Sequence, residues 1–157
     1  MKIMRWALVL LLAGCSSSES FADSSWQVTE GYTTPDYPAE VPEAIAGAVV
    51  VNFGNSTLNG FTGCAPFNAT VEFTKTEGDQ QVISTSAEAD RMKIPEVIFG
   101  DSEGDCTGHV EFVHTAMMDF LQSQEFNLSR PEEKEMVITV YSADPQAVDQ
   151  PAIRLVQ

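Results

Sequence analysis

Apolar and polar positions along this chain fall into short strand-like runs interrupted by one helical stretch. Residues 48–53 (AVVVNF) are β-branched and apolar without alternation, the pattern of a strand buried on both faces, and Gly54, Asn55 and Ser56 then supply a turn. Residues 57–61 fit a second short strand. Residues 68–74 alternate as Asn, Ala, Thr, Val, Glu, Phe, Thr, and Glu77, Gly78 and Asp79 turn the chain back into 81–85, which predicts a hairpin. A further apolar run at 95–99 precedes a loop of glycine and acids. Residues 109–124 carry the helical period: Val110, Val113, Met117, Phe120, Leu121 and Gln124 share one face, with Gly108 marking the start and Phe126 the exit. Residues 136–141 and 152–156 read as two closing strands, separated by a loop in which Asp144 precedes Pro145. Strands, one helix, then strands predict an α+β fold: a small, mainly antiparallel sheet with the helix packed across it.

The N-terminus follows a different grammar. Lys2 and Arg5 precede an apolar stretch at 6–13 that is too short to span a bilayer, and polar residues follow at once, as in an export signal. Leu12, Ala13, Gly14 and Cys15 resemble the bacterial lipobox. The resemblance implies cleavage before Cys15, diacylation of its thiol and stable anchoring through two chains. Residues 16–43, rich in serine and then in proline among acids, read as a disordered tether, and a flexible coil of that length spans an r.m.s. distance of about 30 Å. Trp26, Tyr32 and Tyr37 sit oddly in such a segment, and an arm docked on the domain is the alternative reading. The expected organisation is therefore a signal peptide at 1–14, a lipidated tether at 15–43 and a domain at 44–157.

Composition sharpens the partner question. The chain has 157 residues, with 23 Asp and Glu against 8 Lys and Arg and a net charge of −15. Loss of Lys2 and Arg5 on cleavage leaves 6 against 23, or −17. With no basic patch to release counterions from a phosphate backbone, nucleic acid is excluded as a partner. The membrane, reached through the lipid on Cys15, and an envelope protein or ligand of unknown identity remain.

With Cys15 given to lipid, Cys64 and Cys106 form an even pair in an oxidising compartment, and a disulfide is the expected outcome; a buried free thiol and a reactive thiol are the alternatives. These cysteines also carry a family resemblance. The stretch Asn59-Gly60-Phe61-Thr62-Gly63-Cys64-Ala65-Pro66-Phe67-Asn68-Ala69-Thr70 resembles the signature of the META domain (HslJ-like) family, a glycine-rich turn into Gly-Cys followed by an aromatic and a strand. Cys106 stands where a second family cysteine precedes the helix. The helical stretch 115–124, then Phe126-Asn127-Leu128, then the strand 136–140 are similar to the family's helix, short strand and final strand. Ala65 and Pro66 depart from the family's usual Asn, and the acidic loop 100–105 replaces a more apolar segment. The resemblance covers about 49–140 and implies a small α+β envelope module, often lipid-anchored, tied to heat shock, antibiotic tolerance or motility, with no catalytic residues to carry over.

Asp101, Glu103 and Asp105 alternate like the opening of a calcium loop, but Cys106 replaces the glycine at position six and Phe112 the bidentate glutamate at position twelve. That leaves a weak, opportunistic cation site against a solvated acidic loop. His109, Glu111 and His114 do not make a zinc helix, because histidines five apart point about 140° away from each other. Glu72 and Glu88 are a carboxylate pair only if the fold joins them. Asn55, Asn68 and Asn127 begin glycosylation-like sequons that a bacterial setting reduces to turn chemistry. No nucleophile elbow or phosphate-cradling loop occurs, and no cofactor is implied. The expected function is a non-catalytic binding or envelope-maintenance module. An accessory structural subunit of a larger envelope complex is the first alternative and an envelope-polymer hydrolase the second.

Overall fold

The computed structural model describes residues 24–34, 37–41 and 47–157. Within them the chain forms β1 (Ser25–Thr34), β2 (Tyr37–Glu40), β3 (Val49–Phe53), β4 (Thr57–Thr62), β5 (Pro66–Glu77), β6 (Gln80–Ile83), β7 (Arg91–Phe99), α1 (His109–Leu121), β8 (Glu125–Ser129), β9 (Glu135–Val140) and β10 (Ala152–Val156). The architecture is α+β, a mostly antiparallel sheet with a single helix among the described residues. The sheet runs β10-β9-β8-β7-β5-β4-β3-β1, and β1 pairs again with β10, so eight strands close into a barrel. Strands β2 and β6 are hairpin arms on β1 and β5.

Alternation explains the closure. In β5, Phe67, Ala69, Val71 and Phe73 point inward while Asn68, Thr70 and Glu72 face solvent. All eight barrel strands send such residues into one cluster, from Trp26 and Val28 of β1 round to Ile153 and Leu155 of β10. An eight-stranded barrel is just wide enough for side chains to fill. Burying each large apolar side chain contributes about 1.5–3 kcal/mol.

The two ends of the barrel are closed by different means. At the end where β1 begins, Trp26 is 1% exposed, donates its indole N–H to Ser24 Oγ at 2.6 Å and stands edge-on to Phe53 at 6.5 Å. At the other end lie the last residues of β4, β7 and β9 and the first of β5, β8 and β10. There α1 buries Val113, Met117, Phe120 and Leu121 against the core.

Several expectations shift. The body of the fold begins at β1, inside the stretch read as tether, because Trp26 and Val28 supply core that serine and proline composition conceals. Residues 1–23, and with them Cys15, lie outside the described residues. Strand β3 is buried on one face, with Val50 and Asn52 half-exposed, because an eight-stranded barrel leaves its outer face to water. The helix stops at Leu121. Gln124, assigned to its buried face, is exposed with φ +71°, a left-handed turn that swings the chain into β8. Asn55 sits in a bend, whereas Asn68 and Asn127 are outward-facing strand residues, so turn chemistry holds for the first alone.

Candidate functional site

The helix end is assembled around the turn between β4 and β5. Gly60 in β4 is required by close approach, since a Cβ there would stand 1.9 Å from the Val50 carbonyl oxygen, and Gly63 takes φ +99° in the turn itself. The fully buried Thr62 organises this turn. Its Oγ1 accepts from the Ala65 amide at 3.1 Å and stands 2.6 Å from His114 Nδ1, which ties the middle of α1 to the barrel rim. Two residues on, Cys64 is joined to Cys106 by a disulfide across 5.5 Å between Cα atoms. The loop between is stitched to the same turn, with Gly100 N donating to Pro66 O at 2.8 Å and Glu103 N to Cys64 O at 2.7 Å. A disulfide ahead of the helix and a buried threonine paired with a histidine at its middle thus hold the first half of α1 in place.

Where α1 ends, the barrel wall is incomplete. Strand β7 pairs with β5 along its whole length but with β8 only over 91–93. Ile94 N then donates to Gln124 O at 2.7 Å, and the second ladder stops. A β-bulge lies at this point: Thr70 pairs Glu96 and Glu72 pairs Lys93, so Val71 faces both Ile94 and Pro95. Pro95, lacking an N–H, is accommodated at the bulge. Gly100 N bonds Pro66 O, and hydrogen-bonded pairs alternate along an antiparallel ladder, so Glu96 and Ile98 point their backbone groups at β5. The N–H and C=O groups of Val97 and Phe99 therefore point the other way, where they meet no hydrogen-bond partner among the described residues. Beside this edge runs an open groove of about 370 Å³, lined by Ile94, Pro95, Glu96, Val97, Leu121, Gln122 and Gln124.

Charge is distributed unevenly between the ends. Glu96, Asp101, Glu103, Asp105, Glu111, Asp119, Asp144 and Asp149 are all exposed on the strands and loops of the helix end, and no Lys or Arg occurs in 94–129 or in 141–151. Toward the opposite end acids are answered by bases: Lys75 reaches Glu77 at 3.4 Å and Glu88 at 3.3 Å. Those two carboxylates, Glu88 foremost, raise the Lys75 pKa above its ordinary value. Arg130 donates to the Ala89 and Ser86 carbonyls at 2.8 and 2.5 Å, and burial lowers its pKa against the opposing pull of Asp90. On the barrel wall Arg91 and Lys93 both stand 3.7 Å from Glu125.

The singled-out residues are placed accordingly. Cys64 and Cys106 come together as a disulfide. Asp101, Glu103 and Asp105 are exposed, and among the described residues no three His, Cys, Asp or Glu side chains gather as a metal cluster. Glu72 and Glu88 are not brought together: Glu72 lies opposite Lys93 on the barrel wall, and Glu88 is engaged by Lys75. His109 is exposed at the start of α1, while His114 is paired with Thr62, a contact that helical spacing alone could not reveal. Sequence reasoning missed Val97 and Phe99; the signal was Pro95 inside an otherwise regular apolar strand. Among the described residues no helix is long and apolar enough to cross a membrane. Comparisons with protein-family models, with curated proteins and with solved structures each gave no match.

Proposed function

We propose that this chain is a non-catalytic binding or envelope-maintenance module of the META domain type, held outside a bacterial membrane by acyl chains on Cys15 and presenting the helix end of its barrel to an envelope partner. The observation that carries the reading is the incomplete wall at β7, where a groove and unpaired backbone groups adjoin a rim braced by the Cys64–Cys106 disulfide. Side chains fill the barrel interior, so recognition falls to this outer surface. Among the described residues, three of the four large apolar side chains that stand most exposed, Ile98, Phe112 and Val148, belong to this end, and exposed apolar surface marks interaction sites. Acyl anchoring rests on Leu12-Ala13-Gly14-Cys15.

The test has two arms. Cys15→Ser should leave an uncleaved precursor and abolish incorporation of a fatty-acid analogue; unchanged labelling would refute the anchor. Chemical cross-linking in intact envelopes, followed by isolation of the lipidated protein and mass spectrometry, should yield a reproducible partner in near-stoichiometric amount. Recovery of the chain alone would contradict a binding module.

A further inference from the structure

We infer that the free edge of β7 at 97–99 is an acceptor for an extended, lysine- or arginine-rich segment of a partner protein, which adds a strand to the barrel wall where β8 falls short. This deepens the proposed function and rests on it. The edge supplies the N–H and C=O of Val97 and of Phe99 as main-chain partners. The groove along 94–97 leaves room for the added strand. Strand addition of this kind draws affinity from main-chain hydrogen bonds and specificity from alternate side chains.

Charge identifies the occupant. An incoming strand would lie against Glu96 at the end of the barrel where Asp101, Glu103, Asp105, Glu111 and Asp119 are also exposed, in a stretch from 94 to 129 that has seven carboxylates and no Lys or Arg. A basic segment is drawn to such a field and an acidic one repelled. The same field argues against a second copy, because pairing two β7 edges would bring two uncompensated acidic ends together, and Pro95 and Glu96 further blunt self-pairing. The chain's own preceding segment is a poor occupant: it leaves β1 at Ser25, at the opposite end of the barrel, and residues 15–24 carry Glu19 and Asp23 with no base.

The full chain in detergent micelles would be titrated with an end-blocked octapeptide of alternating lysine and valine, while hydrogen exchange is followed at single amides. The expected result is saturable binding that slows exchange at Val97 and Phe99 at least tenfold and leaves β6 amides unchanged. The matching glutamate–valine peptide should give no protection. Val97→Pro should weaken the lysine peptide at least tenfold, and where that variant fails to fold, N-methylation of alternate peptide amides must produce the same loss from the ligand side. Binding of the lysine peptide without protection at Val97 and Phe99, equal binding of the glutamate peptide, or no binding of either would each overturn the proposal. The partner-isolation experiment is independent of this result: a partner recovered from envelopes with no peptide effect at β7 would leave the module reading standing and remove the edge.

Discussion

The two ends of this barrel solve the same closure problem with opposite materials. The Trp26 end is plugged by a buried indole packed on Phe53 and carries bases among its acids, with Lys75 bridging two glutamates. The helix end is closed by an element that contributes only part of its surface to the core. A disulfide and a threonine–histidine contact brace it, and among the described residues it leaves eight carboxylates without a base, a groove and an unpaired strand edge. The first arrangement stabilises. The second applies covalent bracing to an unneutralised, incompletely paired surface, the arrangement on which the proposed recognition role rests.

The largest effect expected from breaking this contrast comes at the Trp26 end. Trp26→Ala removes a fully buried aromatic and should cost about 3–5 kcal/mol in chemical denaturation, with loss of barrel closure along β1 and β10. If 25–34 were a docked arm of little structural weight, the loss would stay below about 1 kcal/mol, within the range of surface substitutions. At the helix end, Cys64→Ala with Cys106→Ala should cost about 2–5 kcal/mol by freeing a loop of 42 residues' separation. It should also raise hydrogen exchange in α1 before it does so in β3 and β4. Uniform acceleration through the barrel would show that the bridge supports the whole fold and not this end.

How legible these ends are in the sequence differs for physical reasons. Strands β3 to β6, the second half of β7, β9, β10 and the start of the helix follow from apolar runs, alternation, turn residues and the 3.6-residue period, which are local properties. Closure into a barrel is not local: it depends on β1 meeting β10 across more than a hundred residues, and Trp26 and Val28 lie in a stretch whose serines and prolines mask their alternation. Strand β8 has just five residues, too few for the period to stand out, and is suggested by family resemblance at Phe126-Asn127-Leu128. Of the site, the cysteine pair is legible from parity and the expectation of export. The free edge of β7 is not, because whether a strand's second edge is paired is a property of its neighbour.

Smaller perturbations sharpen the same contrast. Thr62→Val keeps shape while removing the acceptor of the Ala65 amide and the partner of His114, and should cost about 1–3 kcal/mol. Its nuclear magnetic resonance shifts should concentrate around His114 and the β4–β5 turn; shifts centred on Trp26 would deny the separation of the two ends. The least effect is expected from Lys75→Met. The carboxylates of Glu88 and Glu77 raise the Lys75 pKa above 10.5, so its contribution is complete below that pH and is lost as pH climbs through the raised value. The wild-type chain should therefore show a small decline in stability at alkaline pH that the variant lacks, read from denaturation midpoints above and below that pH. Identical profiles would show that this exposed pair contributes nothing.

The most direct test compares the ends in place. A photo-cross-linking amino acid would be put at Phe112, 62% exposed on the helix, or at Ile83, 92% exposed on β6 away from it, with both proteins expressed at equal level in intact host cells and irradiated there. If the helix end is the recognition surface, position 112 gives a discrete cross-linked adduct and position 83 gives none. Equal adducts from both positions, or an adduct from position 83 alone, would contradict it.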